Sequence, residues 1–262
     1  MHTETGILDL RLRRRSLLWY TAGLALYALA VVALYPQFKN SAGLDQLTKN
    51  GNAVAALFGA TGSLTSPAGW LDANIFENFL PLIILLVCVG FAASCVAGQD
   101  EDGVLALTAA LPVSRRSILL QKGGALAAQA AALAAATFAC ALAGRWWGLS
   151  VPVMNLAGIS VGLLLLGIDF GLLALLIGAA TGRRGPALGV TAGVAAASYL
   201  ISSLAPVVAW LRPARYVSLF YWAAGNHQLV SGLSAWSLLV LAGAGLVLLA
   251  AAVSAFGRLD LR

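Results

Sequence analysis

Charge is what this chain has least of. Its 16 Lys and Arg and 10 Asp and Glu are 10% of 262 residues, where a soluble domain carries about 25%. So few charges cannot cover a globular surface, which excludes a separate soluble catalytic domain or a DNA-binding module. Nor is this the polar, charge-rich composition of a disordered chain. Cysteine is scarce too: Cys88, Cys95 and Cys140 all lie inside apolar runs, which excludes a disulfide framework and leaves them as small packing residues. Cys88 and Cys95 share a helix face, yet no third ligand for a soft metal lies near them. Histidine occurs twice, at His2 and His227. A Gly-x-x-x-x-Gly-Lys-Ser/Thr phosphate loop is missing; Gly178 to Pro186 supplies glycines without the Lys and the hydroxyl that must follow it.

What is abundant is hydrocarbon. Residues of the AVILMFWYC set make up 60% of the chain, and the mean hydropathy is +0.88. A membrane-crossing helix needs about 20 apolar residues, so six would use about 120 and leave only short loops. The composition predicts an all-α integral membrane protein with one transmembrane domain over residues 1–262. Hydropathy places the spans at about 17–35, 75–97, 118–143, 156–181, 187–211 and 236–256. Ile7 to Ser16 mixes leucines with Arg11, Arg13, Arg14 and Arg15 and predicts an amphipathic interfacial helix leading into span one. The run from Leu17 to Tyr35 is too long for a signal-peptide core and lacks a small-residue cleavage site. Residues 36–72 are expected to form an external loop with one short helix, since the apolar patch Ala53 to Ala60 is too short to cross.

Net charge of +6 would suggest nucleic acid in a soluble protein; in a membrane its placement decides, and no nucleic-acid partner is expected. Arg11, Arg13, Arg14, Arg15, Arg115, Arg116, Lys122, Arg183, Arg184, Arg258 and Arg262 fall on the side of the termini, whereas Lys39, Lys49, Arg145, Arg212 and Arg215 fall opposite. Because Lys and Arg gather on the cytoplasmic side, both termini are expected there, in a multi-pass protein of the cell membrane. Trp146, Trp147, Trp210, Tyr216, Tyr221, Trp222 and Trp236 cluster at the predicted outer boundary, as an aromatic belt.

Span four carries three Gly-x-x-x-Gly pairs. Gly167, Gly171, Gly178 and Gly182 share one stripe at 100° per residue and Gly158 and Gly162 lie opposite, so helices can approach on both faces. Asp169 sits mid-span among leucines, where a carboxylate costs about 2.5 to 3.5 kcal/mol on insertion scales. Either it hydrogen-bonds a neighbouring helix, with Ser198, Ser202 or Ser203 as candidates, or it faces a pathway. Glu77, with Asn74 and Asn78, marks the outer end of span two as a second possible pathway residue or a plain interfacial cluster. Pro81 and Pro206 are expected to kink spans two and five. Gly158-Ile-Ser160-Val-Gly162 matches Gly-x-Ser-x-Gly, and Ser160, Asp169 and His227 follow the hydrolase order. The hydrolase elbow needs a strand-to-helix turn, however, and Ser160 starts a membrane helix. A rhomboid intramembrane protease is a nearer comparison, but His227 lies in a loop and span two has no His-x-x-x-Asn, so small-residue packing is the favoured reading.

Between spans two and three runs Gln99-Asp-Glu-Asp-Gly-Val-Leu-Ala-Leu-Thr-Ala-Ala-Leu-Pro-Val-Ser-Arg-Arg. Val104, Leu107, Thr108 and Leu111 recur at helical spacing, Asp100 and Glu101 precede the first turn, and Pro112 ends it. Such an apolar stripe at the water side must be buried by lipid headgroups or by a protein groove. Glu101, Gly103, Leu111, Pro112, Val113, Ser114, Arg115 and Lys122 resemble the motif after the second span of type-2 ABC exporter permeases, and Phe256-Gly-Arg-Leu-Asp260-Leu resembles that family's C-terminus. The resemblance implies a permease half-transporter, as a homodimer or as a heterodimer with a second permease, in the lipid bilayer. Two copies of a separate ABC ATPase subunit would bind ATP and Mg; this chain would bind no cofactor or metal and catalyse nothing. Residues 100–111 would be the coupling helix that docks on that ATPase. A secondary transporter using Asp169 is the remaining alternative.

Overall fold

The computed structural model describes residues 4–39, 64–101, 103, 114–225 and 228–258, with side chains from Arg11 onward. Every regular element among them is helical. Six helical segments are long and apolar enough to cross a membrane: Arg11–Phe38, Pro67–Glu101, Arg115–Trp147, Val153–Thr181, Arg184–Leu204 and Ala235–Gly257. These are spans one to six, and the protein is a multi-pass membrane protein. The side on which span one begins and span six ends is the terminal side.

The helix of span one runs without interruption from Glu4 to Phe38. The interfacial helix expected over Ile7–Ser16 is therefore not a separate element. Those residues contain neither Gly nor Pro, and Leu and Arg are good helix formers, so nothing ends the helix before it enters the apolar run.

Span two starts earlier than hydropathy suggests and is segmented. Ser66 caps its first turn by accepting from the Gly69 N–H at 3.1 Å, with Pro67 in the first helical position, where a missing N–H costs nothing. A π-turn at Asp72–Phe76 follows, then α-helix over Phe79–Ala93, a second π-turn at Ser94–Gly98 and a last turn at Gln99–Glu101. The break expected at Pro81 lies at Glu77–Asn78 instead, where Asn78 leaves helical geometry at φ −120° and ψ −70°. Pro81 thus occupies the first turn of the following helix, among N–H positions with no intrahelical partner.

Ser114 caps span three through the Ser117 N–H at 3.2 Å, and Gly148 closes the Gly144–Trp147 turn at φ +78°. Span five stops at Leu204, short of the predicted residue 211. Pro206 has no N–H to give the Ser202 carbonyl, so it ends the helix rather than kinking it. Short helices at Leu219–Ala223 and Gln228–Ser231 precede span six, where an external helix was expected, and Ser234 caps span six through the Ser237 N–H at 3.1 Å.

Span four is the centre of the bundle, packed against spans two, three, five and six, while span one lies along span three and touches span two. Its glycines make that possible. A Cβ at Gly167 would run into the Ile84 side chain of span two, one at Gly171 would lie 2.6 Å from Leu126 of span three, and one at Gly178 would lie 3.3 Å from Ala97 of span two. On the opposite face, Gly158 and Gly162 admit the connection between spans five and six rather than another span: their Cβ atoms would meet Leu233 at 2.8 Å and the Ala223 carbonyl at 2.6 Å. Gly182 instead ends span four at φ +61°. Span one is fastened to span two by Trp70 Nε1 donating to the Val31 carbonyl at 3.0 Å and Tyr27 Oη donating to that of Asn74 at 3.0 Å.

Candidate functional site: the polar groups of an apolar bundle

On the terminal side, polar side chains join three spans around the start of the connection between spans two and three. Lys122, 2% exposed, donates from Nζ to Gln99 Oε1 at 2.7 Å. Glu101 Oε1 accepts the Arg184 N–H at 2.9 Å, so a carboxylate from span two sits at the N-terminus of span five, where the helix dipole favours negative charge. Asp100 is buried. Its carbonyl accepts the Gly103 N–H at 3.1 Å, and Gly103 turns the chain at φ +69°, a left-handed conformation that glycine adopts without strain. Arg115 opens span three just after the Ser114 cap. The remaining members of the expected coupling helix, Val104, Leu107, Leu111 and Pro112, lie outside the described residues. The connection therefore leaves from and returns to points fixed on the bundle.

Asp169 is 1% exposed, and neither carboxyl oxygen has a hydrogen-bond partner among the described residues. The span-five serines expected to pair with it are turned elsewhere: Ser198 Oγ lies 2.9 Å from Ser218 Oγ, and Ser202 Oγ lies 2.7 Å from where a Gly225 Cβ would be. Asp169 faces span six instead. A Cβ on Gly245 would lie 2.7 Å from Asp169 Oδ1, so the carboxyl fills the space that glycine leaves.

At the end opposite the terminal side, Glu77 is half-buried beside the π-turn of span two, close to Asp72, a buried acid that sequence reasoning missed and whose Oδ1 has no hydrogen-bond partner among the described residues. Asn74 Nδ2 and Asn78 Nδ2 donate to the Trp70 and Ala73 carbonyls, each at 2.9 Å. Side-chain amides thereby serve carbonyls in a helix interrupted by a π-turn. Tyr199 Oη of span five donates to Asn78 Oδ1 at 2.7 Å. Beyond the spans, the Arg215 guanidinium lies 4.8 Å from the ring centre of Tyr216 and 5.1 Å from that of Tyr221. Its hydrogen bond to the Tyr216 hydroxyl raises the already high Arg215 pKa.

Ser160 Oγ donates to the Leu156 carbonyl of its own helix at 2.8 Å, and His227 lies outside the described residues. No cluster of metal-ligating side chains occurs among the described residues. Two cavities do. One, of about 840 Å³, lies between spans one, two and five, with Arg13 and Arg184 towards its terminal end and Asn78 and Tyr199 towards the other. The second, of about 600 Å³, is lined by Asp100, Thr181, Ser254 and Arg258 on the terminal side of spans four and six. Neither leaves a local signal in the sequence, because each draws its walls from distant stretches.

A family model described as ABC-2 family transporter protein matches residues 7–261. No curated protein matches the chain. With that match running from the first turns of span one past the end of span six, the chain belongs to the ABC-2 transporter family, as a membrane component of a transporter.

Proposed function

We propose that the protein is the permease subunit of an ABC exporter of the cell membrane, with both termini cytoplasmic, working as a homodimer or with a second permease and driven by two copies of a separate ATPase subunit. The observation that carries this reading is the family match over residues 7–261. ATP, with Mg, would be bound and hydrolysed by the partner to supply the driving force, which this chain's residues receive and distribute. The apolar stripe Val104, Leu107 and Leu111 docks in a groove of the ATPase. From there, displacement reaches span two directly through Gly103 and Asp100, span five through the Glu101–Arg184 contact, and span three through Lys122 and Gln99. One docking element thus pulls on three spans packed on or beside span four, which suits a switch between two bundle arrangements better than a local flexing. In an intramembrane protease Ser160 would have to turn its hydroxyl away from the Leu156 carbonyl to which it donates here.

A second reading, an ATP-independent transporter with Asp169 as its proton carrier, is favoured by the absence of a hydrogen-bond partner for that buried carboxyl among the described residues. The test is co-expression with a nucleotide-binding subunit. The permease alone is expected to show no ATPase activity and to co-purify with the partner in a two-plus-two assembly. Robust transport by the permease alone in ATP-free vesicles overturns the proposal in favour of the second reading.

A further inference from the structure

The second π-turn of span two, Ser94–Gly98, stands just before the segment on which the partner is proposed to act. Such turns are rare and gather at functional sites. This one holds a residue more than an α-turn: the Gln99 N–H reaches the Ser94 carbonyl, five residues back, and the Ser94 N–H turns to the Phe91 carbonyl, three residues back. In a regular helix the Ser94 N–H would serve the Gly90 carbonyl, and here Ser94 Oγ serves it instead at 2.8 Å. An unserved carbonyl is costly inside a membrane. The serine therefore lets the stretch close as a π-turn or as an α-turn with Gly90 satisfied either way.

The turn also has room to rotate. Apart from Val96 it is built of Ser94, Cys95, Ala97 and Gly98, and it runs against small neighbours: a Cβ on Gly178 of span four would lie 3.3 Å from Ala97 and 3.8 Å from Ala187 of span five. Small residues on facing helices leave no side chain for a rotation to drive into its neighbour.

An α-helix advances about 100° and 1.5 Å per residue. When the extra residue passes out of the turn towards the connection, every later residue takes the place its successor holds now. Gly98 then replaces Gln99 beside Lys122, Gln99 takes the buried place of Asp100, and Asp100 takes that of Glu101 at the Arg184 N–H. The consecutive acids thus offer the start of span five a carboxylate in both registers, where the helix dipole favours one. Lys122 of span three keeps its Gln99 contact in only one of them. We infer that Ser94–Gly98 is a one-residue ratchet, which converts displacement of the connection into a rotation of about 100° at the end of span two, exchanging Glu101 for Asp100 at span five and releasing Gln99 from span three. The inference rests on the permease reading only for what moves the connection. Register is measured without the ATPase, so a failure of the ratchet and a failure of the permease reading are separate results.

The experiment is cross-linking of the purified permease in dodecyl maltoside with a short thiol-to-thiol reagent, the three native cysteines being buried. Glu101→Cys with Arg184→Cys reads the present register, in which these residues meet, and Asp100→Cys with Arg184→Cys reads the advanced one. Both pairs are expected to cross-link while Gly98 is present. With Gly98 deleted, the turn closes as α-helix in the present register and has no residue to pass on; the first pair should persist and the second fall by about tenfold or more. Deletion of Leu86, an exposed residue of the regular helix before the turn, instead swings the whole end by about 100° and is expected to lose the first pair. Co-expressed with the ATPase subunit, the Gly98-deleted permease is expected to retain the partner and lose transport. Gly98→Ala, whose Cβ would meet Ser94 at 3.6 Å and Arg184 at 3.8 Å in ordinary contact, keeps the residue count and should transport. An Asp100 cross-link that is absent in the presence of Gly98, or equal with and without it, overturns the inference, as does transport at the wild-type rate after the deletion. Failure of the Gly98-deleted permease to fold overturns it too, because its flanks would then not be in register without the extra residue.

Discussion

The pairing of Asp169 with Gly245 can be broken from either side. In Gly245→Ala the new methyl would stand 2.7 Å from Asp169 Oδ1, well inside van der Waals contact, and the carboxyl has little room to withdraw because it is 1% exposed. Overpacking of this kind costs about 1–3 kcal/mol, offset by up to about 1 kcal/mol from replacing glycine inside a helix. Asp169→Ala removes a buried carboxyl with no hydrogen-bond partner among the described residues, a group that costs about 2.5–3.5 kcal/mol in mid-membrane; the gain is reduced by the space left behind. With Asp169 already Ala, the clash is gone and only the helix gain remains. Unfolding free energies of wild type, both single variants and the double variant, measured in one neutral detergent, should therefore give a coupling of about 1–3 kcal/mol, with Gly245→Ala harmful alone and harmless in the Asp169→Ala background. The cycle cancels helix propensity, which is the same in both arms. Additive effects within about 0.5 kcal/mol would refute the packing of Asp169 against span six.

Ser160→Ala should keep transport and assembly, because the hydroxyl bonds only its own helix at Leu156, whereas Ser160→Leu should reduce assembly by forcing a larger side chain into the buried face that Ser160 shares with Gly167 and Gly171; labelling of Ser160 by a fluorophosphonate, with activity lost in the Ala variant, would contradict this. Glu101→Ala removes the carboxylate at the start of span five and should cost about 1 kcal/mol, as loss of a helix N-terminal cap does, read as faster amide hydrogen exchange over the first turn from Arg184. Glu101→Gln, which keeps an acceptor, should restore most of the protection, and unchanged exchange in both would show that the contact is idle.

Much of the architecture is legible in the residues themselves. A span is a run of hydrocarbon about as long as the bilayer is thick, so all six could be placed, and close helix approach is written directly in Gly167, Gly171 and Gly178. The segmentation of span two was not legible: a π-turn such as Asp72–Phe76 adds a residue to a turn without altering composition, and its signal, Asn74 and Asn78 reaching back to carbonyls, is visible only once the helix is built. Pro206 could be read as a disruption but not as a terminus, since a kink needs neighbours to serve the freed carbonyl. Asp169 was recognisable as costly, yet its neighbour was sought among hydroxyls when the room for it came from a glycine. Glu101 and Arg184 are 83 residues apart, and the cavity of about 840 Å³ draws its walls from four spans, so both arise from tertiary register that no local pattern carries.

In the proposed mechanism this chain is driven through the segment between spans two and three. Leu107→Asp places a charge in the proposed ATPase contact, where disrupting a buried anchor costs about 2 kcal/mol or more, at least about thirtyfold in affinity. The direct measurement is pull-down of the nucleotide-binding subunit by wild type, Leu107→Asp and a Thr108→Ala control at matched membrane expression. Leu107→Asp is expected to insert normally and to lose the partner, while Thr108→Ala retains it. Equal recovery by wild type and Leu107→Asp would contradict it.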